Sequence, residues 1–321
     1  MNKESCKNKA LKTSIGGQAV IEGVMMRGPR KIATAVRKPD GEIVVDEKPL
    51  GKVRKNKFLK LPIIRGCINF FDSMIVGIQS LMYSAKFFEV DEDGNQIQEE
   101  PGKFEKWLEE KLGSEKATNA VIYIAVILSV LMSVGLFILL PAVLVGFLKG
   151  IIENHFLLTA AEGIVRIAIF IAYISLVSQM KDIKRVFMYH GAEHKSIHCY
   201  ESGEELTVEN VRKHSRLHPR CGTSFLLIVM VISIVVFSFI SWNNPFIRLL
   251  LRLALLPVVA GISYEIIKFA GRHDNWLTAA ISAPGKWFQH ITTNEPDDAQ
   301  IEVAITALKA VMPENAGEDR W

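Results

Sequence analysis

Hydrophobic positions in this chain are collected into long stretches rather than spread evenly among polar ones. The clearest stretch covers residues 121–148, which contain no charged residue. As a helix it would extend about 42 Å, more than the roughly 30 Å hydrocarbon layer of a bilayer. A tilt, or a kink at Pro141, would absorb the excess length. This stretch therefore predicts a membrane-spanning helix.

Three further stretches have the same character, and we expect four transmembrane helices in all. Residues 224–241 are uncharged, whereas residues 157–177 and 246–270 carry a few charged side chains. The predicted fold class is a mainly α membrane protein with additional cytoplasmic parts. A wholly soluble protein is excluded by these stretches.

The charges inside the expected spans should pair, because a charge at mid-membrane costs about 2.5–3.5 kcal/mol on insertion scales. At 1.5 Å per residue, Glu162 lies at the depth of Arg166 on its own helix and of Arg252 on the fourth. We expect an interhelical clamp. A transport pathway through these three side chains is the weaker alternative.

Basic residues in the connections predict the orientation. Residues 178–223 carry eight Lys and Arg, residues 149–156 carry one and residues 242–245 carry none. Residues 1–60 carry fifteen Lys and Arg against six Asp and Glu. Because basic residues accumulate on the cytoplasmic side, both termini and the 178–223 loop are expected there.

The parts outside the spans have their own patterns. Residues 14–50 are expected to form β structure. Two β-rich runs flank Pro39-Asp40-Gly41 and predict a hairpin, and the glycines preceding them suggest bends and close backbone approach. Residues 61–90 have polar residues at helical spacing behind five basic residues in 51–60, which favours an interfacial amphipathic helix beside a polybasic strip on anionic lipid headgroups. A fifth span is the alternative, although it conflicts with the charge distribution.

The predicted organisation combines these patterns. A C-terminal helix with Ile301, Ile305, Leu308 and Met312 on one face is expected to dock on the hairpin. In chain order the segments are the N-terminal region (1–60), the interfacial helix (61–90), an acidic linker (91–120), the first two spans (121–148 and 157–177), the cytoplasmic loop (178–223), the last two spans (224–241 and 246–270) and the C-terminal segment (271–321).

Composition changes this picture little. Hydrophobic residues make up 49% and charged residues 22% of the 321 residues, so the two kinds must be segregated. The net charge of +4 is too small to suggest nucleic acid, and none is expected as a partner. Four scattered cysteines exclude a disulfide scaffold and suit the reducing cytoplasm.

The strongest chemical signal is a histidine cluster in the cytoplasmic loop. Five of the eight histidines fall within 29 residues, whereas an even distribution would place fewer than one there. These are His190, His194, His198, His214 and His218. The alternative is a pair of surface helices with solvated histidines.

The first part of the cluster has the spacing of an inverted zinc-hydrolase motif, H-x-x-E-H. His190 and His194 are four apart, so a helix would place both imidazoles on one face, with Glu193 beside them. A divalent ion lowers the pKa of bound water toward about 7, and an adjacent carboxylate can take the proton. Gly191 inside this helix suggests that another backbone approaches closely.

The second part of the cluster adds further potential ligands. Thr207 is a suitable N-cap for a helix over 208–217, in which His214 and His218 would share a face. Cys221 follows three residues later, at a spacing compatible with a thiolate ligand. The expected metal is zinc, in a catalytic or a structural role. Because the potential ligands are more than one tetrahedral site can use, a second ion is possible, or some of these residues could support the ligands instead of binding metal.

Two carboxylates elsewhere could complete the site. Glu265 lies at the cytoplasmic end of the fourth span, level with His190, and is a candidate for the third protein ligand, with His218 and Cys221 as the other two. The alternative role for Glu265 is an ion pair with Lys268 or Arg272. Glu22, in the glycine-rich N-terminal segment, is a candidate second catalytic carboxylate, with a purely structural role as the equal alternative.

Four separated motifs resemble the bacterial YqhQ-like family of membrane proteins. They are GGQAVIEGVMMRGP (16–29), YHGAEHKSIHCYE (189–201), RLHPRCGTSF (216–225) and EPDDAQIEVAI (295–305). The resemblance spans about residues 14–312. It implies a multi-pass protein of the bacterial inner membrane, in a family described as predicted metal-dependent enzymes.

The preferred hypothesis is a membrane-embedded, zinc-type hydrolase whose site faces the cytoplasm. Its substrate could be a lipid headgroup, a peptide or a nucleotide derivative. The alternative is a scaffold in which a structural His/Cys metal site supports recruitment of a cytoplasmic protein partner. Both hypotheses leave open whether the protein forms a homodimer.

Overall fold

A computed structural model provides the structure of the protein. It describes residues 12–50, 61–88, 124, 127–148, 150–239, 244–273, 275–315 and 318–319. The expected polybasic strip (51–60) and acidic linker (91–120) lie outside the described residues.

The N-terminal part folds into a four-stranded antiparallel sheet in which each strand pairs with the next. The hairpin expected around Gly41 is confirmed, since the flanking strands pair there and Gly41 has a φ of 90°. The two strands before it lie within residues 14–50, where β structure was expected, so that expectation is also confirmed. The strands are β1 (Gly16–Val20), β2 (Gly23–Arg27), β3 (Lys31–Arg37) and β4 (Ile43–Pro49).

Two glycines of this region allow the close backbone approach that the sequence suggested. A Cβ at Gly23 would lie 2.3 Å from the carbonyl oxygen of Ala35 on β3. A Cβ at Gly28 would lie 2.3 Å from the carbonyl oxygen of Val311, in the last helix. Any side chain at these positions would push the strands apart or lift that helix from the sheet.

The rest of the described chain is helical. Asn154, Asn244 and Asn275 each accept backbone N–H bonds at a helix start, which satisfies donors that the first turn leaves free. The helices are α1 (Ile64–Ala85), α2 (Ile127–Gly146), α3 (His155–Val177), α4 (Lys181–Ser202), α5 (Val208–Lys213), α6 (Gly222–Ser238), α7 (Pro245–Arg272), α8 (Trp276–Thr292) and α9 (Asp298–Val311).

Three of these helices are long and apolar enough to cross a membrane. They are α2, the Phe156–Val177 part of α3 and the Leu249–Arg272 part of α7. The stretch expected as a further span, residues 224–241, forms α6, which is apolar but only 17 residues long. Three of the four expected spans therefore form candidate membrane-spanning helices, and the fourth span and the orientation stay predictions.

The charged side chains within the spans pair as expected. Glu162 of α3 accepts a hydrogen bond of 2.9 Å from Arg166 one turn along the same helix. Its other oxygen accepts a bond of 2.9 Å from Arg252 of α7. Both guanidinium groups lie within 6 Å of the Phe237 ring of α6. The Glu162 carboxylate thus connects the candidate spans of α3 and α7 beside α6.

The helix expected at the membrane surface forms as α1. Its first half contacts α7, where a Cβ at Gly66 would lie 3.0 Å from Gly261. Its second half contacts the sheet, where the Thr34 and Ser80 hydroxyls are 3.1 Å apart. Its position in or on the membrane stays a prediction, and its exposed large apolar side chains are Phe71, Met74, Ile75, Ile78, Leu81 and Met82.

The largest continuous core joins the sheet to α4 and α9. Val24 and Met26 of β2 are fully buried against Ile301 and Leu308 of α9, and Tyr189 of α4 belongs to the same cluster. The expectation that the C-terminal helix docks on the hairpin region is therefore confirmed. This packing holds α4, which carries three of the clustered histidines, on a rigid support.

The clamp at Glu162 makes a direct stability prediction. Glu162→Ala would leave Arg166 and Arg252 without their carboxylate and should reduce the free energy of unfolding by about 3–5 kcal/mol. Denaturation of the detergent-solubilised protein, followed by circular dichroism, measures this. Glu153→Ala, at an exposed position before α3, is the control. Equal stability of the two variants would show that the clamp contributes nothing.

Candidate metal centre

Helix α4 brings the histidines of the H-x-x-E-H motif to one buried face. His190, His194 and His198 follow one another at intervals of four, and the rings of the first two have centroids 4.4 Å apart. Glu193 and His194 are only 4% and 1% exposed. The helical arrangement predicted from the spacing is therefore confirmed.

Gly191 allows a second segment to cross this helix in contact with its backbone. A Cβ there would lie 2.0 Å from the carbonyl oxygen of Asn294, so the expectation of close approach is confirmed. The same segment presents the carbonyl oxygen of Thr292, which lies 2.8 Å from Nδ1 of His190. The glycine thus lets the chain after α8 orient the first imidazole.

Two backbone carbonyls determine which ring nitrogens are free. His194 Nδ1 lies 2.6 Å from the carbonyl oxygen of Arg216, as His190 Nδ1 lies beside that of Thr292. Because a carbonyl oxygen only accepts hydrogen bonds, both Nδ1 atoms must carry the proton. Both Nε2 atoms then keep a lone pair, which is the arrangement found in metal-binding histidines.

Cys221 completes a group of three donor atoms. It is the N-cap of α6, and its Sγ accepts the backbone N–H of Thr223. Its Sγ lies 3.1 Å from Nε2 of His190, and one donor atom from each of His190, His194 and Cys221 lies within 4.8 Å of the other two. Two imidazoles and one thiolate are ligands that zinc prefers, so the donor set fits this metal.

Electrostatics favour a charged thiolate at this position. Burial opposes ionisation of Cys221, but the imidazoles of His190 and His194 outweigh it and hold the thiol pKa well below its usual range. Burial likewise opposes protonation of His190, but the thiolate outweighs it and raises the pKa of His190 to about 9. The imidazole of His190 and the thiolate of Cys221 therefore stabilise each other's charge.

Glu193 is held beside these donors by a single backbone contact. Its Oε1 accepts the N–H of Gly17 at 3.0 Å, and a Cβ at Gly17 would lie only 3.1 Å from the Glu193 carboxyl carbon. Burial raises the pKa of Glu193 above its usual value, against the effect of the neighbouring imidazoles. Within the described part of the chain, Oε2 of Glu193 and Nε2 of His194 are buried without a hydrogen-bond partner.

These unpartnered atoms belong to side chains that line a cavity of about 230 Å³. Glu193, His194 and Cys221 form one wall, and β1 and α1 contribute the others. Arg27 and Arg220 are also on the wall. The arrangement therefore offers three protein donors, a carboxylate and space for a small molecule in one place.

The remaining histidines form two further groups. His198, Glu201 and His218 offer ligand atoms within 4.8 Å, but Arg220 forms an ion pair with Glu201 and so supplies a cation there already. Burial holds the pKa of His218 well below its usual range. His214 belongs to the third group, together with Cys199 and Glu204.

The prediction of one helix over 208–217 was wrong. The helix α5 is capped by Thr207 as expected, but it ends at Lys213 and the chain is extended at His214. His218 is held instead by Gln289 of α8, whose amide oxygen accepts its N–H and whose amide nitrogen donates to its carbonyl oxygen, both at 2.7 Å. His214 and His218 therefore do not share a helical face.

Two expected carboxylates lie elsewhere. Glu265 forms two hydrogen bonds with Arg65 of α1, and Glu22 pairs with Arg185 and accepts a bond of 3.1 Å from the Tyr189 hydroxyl. Neither lines the cavity, and neither belongs to the three groups found among the described residues. The expectations that Glu265 is a ligand and that Glu22 enters the site were wrong, because each carboxylate is neutralised by a nearby arginine.

Sequence reasoning missed the residues that position the site. Gly17 lies in the glycine-rich segment that was singled out, although its role as a donor to Glu193 was not anticipated. Thr292, Arg216 and Gln289 carried no signal, because two of them act through backbone carbonyls and the third is an uncharged amide within a helix.

These features define a mostly helical protein with candidate membrane-spanning helices and buried groups of His, Cys and Glu. The chain belongs to the family described as "Protein of unknown function (DUF1385)", whose model matches residues 61–314. It is similar to "Uncharacterized protein YqhQ" of Bacillus subtilis (strain 168), with 35% identity over 299 residues, 92% of each chain. No solved structure matches the chain. The resemblance to the YqhQ-like family is therefore confirmed.

Proposed function

We propose that this protein is a membrane-embedded, metal-dependent hydrolase. His190, His194 and Cys221 would bind one divalent ion, with zinc as the first choice, and Glu193 would act as the general base. The observation that carries this proposal is the group of three donor atoms beside a cavity, with the unpartnered Oε2 of Glu193 next to them.

The number of donors favours a catalytic ion over a structural one. Structural zinc sites are closed by four protein ligands, whereas catalytic sites keep one position open for water or substrate. Here the cavity adjoins His194 and Cys221, and the fourth position would face it. A scaffold with a purely structural metal site, the alternative from the sequence, has no use for this cavity or for a buried carboxylate beside it.

The chain's own residues have distinct parts in the proposed reaction. When bound, the ion would supply Lewis acidity, polarising the scissile group and lowering the pKa of water. The N–H of Gly17 holds Glu193 by Oε1, so that Oε2 is left to accept a proton. Arg27 and Arg220 on the cavity wall favour a substrate that carries negative charge.

The proposed location is the bacterial inner membrane, with the site on the cytoplasmic side. The three candidate spans support membrane insertion, and the eight basic residues of the 178–223 connection support this orientation.

Metal content is the first prediction. Wild-type protein purified in detergent should contain about one zinc ion per chain, since one three-ligand site is proposed. His190→Ala/His194→Ala removes two of the three ligands and should reduce the content nearly to zero. Elemental analysis of both samples measures this.

His273→Ala/His290→Ala is the matched control, since it removes two exposed histidines outside the three groups. It should retain the wild-type metal content. Near-zero metal in the wild type, or equal metal in wild type and the first variant, would end the proposal.

The second prediction concerns the general base. Glu193→Gln keeps the shape of the side chain but cannot take a proton, so hydrolysis should fall about 10²–10⁴-fold. Metal content should stay at the wild-type level. A chromogenic phosphodiester, bis-p-nitrophenyl phosphate, is the first test substrate because of the two arginines, and p-nitrophenyl acetate is the second.

Glu201→Gln is the control, because it changes a buried carboxylate that binds Arg220 rather than one beside the three donors. It should reduce hydrolysis less than Glu193→Gln does. Unchanged hydrolysis in Glu193→Gln would exclude Glu193 as the base.

A second candidate function, a cysteine hydrolase, is favoured by one observation. The Cys221 thiol lies at the start of α6, 3.1 Å from Nε2 of His190, whose Nδ1 is oriented by Thr292. This is the arrangement of an activated thiol nucleophile. The thiolate would attack a carbonyl carbon to form a thioester, His190 would protonate the leaving group, and water would then release the acid.

The third prediction for this site uses Cys221→Asp to distinguish the metal-dependent hydrolase from the cysteine hydrolase. Aspartate can bind zinc but cannot form a thioester, so the metal hydrolase should keep its metal and part of its hydrolysis. Loss of p-nitrophenyl acetate hydrolysis with metal retained, together with trapping of wild-type Cys221 by iodoacetamide, would favour the cysteine hydrolase.

A further inference from the structure

A second cavity lies on the other side of Arg220, where α7 turns into α8. Its volume is about 330 Å³. Its wall includes the basic side chains of Lys12, Arg220 and Lys286, together with His273. We call this cavity the basic pocket. It shares Arg220 with the cavity beside the candidate metal centre, but it contains none of the three proposed ligands.

Positive charge predominates in the basic pocket. None of its described lining residues is acidic. Glu201 pairs with Arg220 through Nη2, so among the described residues one carboxylate accompanies three basic side chains. Lys286 is exposed and forms no ion pair within the described part of the chain. Such a pocket is suited to an anion with several oxygen atoms.

The basic pocket is at the level where a candidate span ends. The span in α7 ends at Arg272, and the pocket is lined by the residues directly around that end. Trp276, the first residue of α8, is on the pocket wall and is 81% exposed. Tryptophan is enriched at membrane–water interfaces, and basic pockets at span ends bind anionic lipid headgroups.

Helix α8 has several polar residues on its buried side and two tryptophans on its exposed side. Its buried side includes the polar residues Thr278, Ser282 and Gln289, whereas Trp276 and Trp287 are exposed. A helix with its apolar side chains outward is stable when that side contacts lipid. A lipid surface beside the basic pocket would account for the exposed tryptophans of α8.

We propose that the basic pocket binds a phosphate group, supplied by an anionic phospholipid of the adjoining leaflet. The headgroup phosphate would contact Arg220 and Lys286, and the exposed face of α8 would contact the acyl chains. This inference does not depend on the proposed hydrolase, since it uses none of the proposed ligands or the base.

Native mass spectrometry of the full chain in detergent tests the proposal. The protein is supplied with equal amounts of phosphatidylglycerol and phosphatidylcholine, and the bound lipids are counted. Phosphatidylglycerol should be retained preferentially. Lys286→Gln should weaken its retention about fivefold, as expected for one lysine near an anionic headgroup. Lys286→Arg keeps the charge and should retain the lipid.

Lys309→Gln is the control, because it removes an exposed lysine from α9, which carries no residue of the basic pocket. It should bind as the wild type does. Equal retention of the two lipids, or unchanged retention in Lys286→Gln, would overturn the proposal.

Competition with inorganic phosphate distinguishes a lipid headgroup from free phosphate as the source of the phosphate group. If lipid is the ligand, free phosphate at the same concentration as phosphatidylglycerol should leave the lipid bound, because it lacks the acyl chains. Displacement of the lipid by free phosphate, dependent on Lys286, would support the phosphate site and overturn the lipid as its source. With saturating zinc, the zinc content of the same samples should be unchanged by Lys286→Gln, because the variant keeps all three proposed ligands.

Discussion

Two hydrogen bonds from imidazole to backbone determine the geometry of the candidate centre. The carbonyl oxygens of Thr292 and Arg216 each accept from the Nδ1 of a histidine on α4. Since this leaves Nε2 as the only free nitrogen on each ring, both lone pairs are directed to the side where Cys221 lies. Other features of the fold serve to bring those carbonyls to α4: the close crossing at Gly191 and the attachment of His218 to Gln289.

This arrangement costs stability unless something binds there. Oε2 of Glu193 and Nε2 of His194 are buried without partners among the described residues, and each such atom costs about 1–3 kcal/mol. The core of sheet, α4 and α9 is extensive enough to hold them in place. Buried polar atoms that meet at one cavity are typical of a site whose partner is a ligand rather than another side chain. The donors' chemistry makes a soft or borderline cation the best such partner.

The sequence could predict what depends on local spacing. Histidines four apart on α4, the hairpin at Gly41 and the pairing of Glu162 with two arginines all follow from helical or strand geometry and from the cost of buried charge. The role of Gly17, the tautomer-fixing carbonyls and Gln289 depend on segments that meet only in the folded chain. Glu265 was misassigned for the same reason: its partner, Arg65, comes from a helix about 200 residues away.

Arg220 connects the two cavities electrostatically. Its guanidinium is bound by Glu201 and lines both walls, so its charge acts on whatever occupies either side. An anion in the basic pocket would partly neutralise Arg220 and weaken the repulsion between it and a divalent ion at the candidate centre. That repulsion is significant because both lie in a buried region, where charges are screened far less than in water. Occupation of the basic pocket by a lipid would therefore raise the affinity of the proposed centre for a divalent ion without changing the number of ions that it can bind.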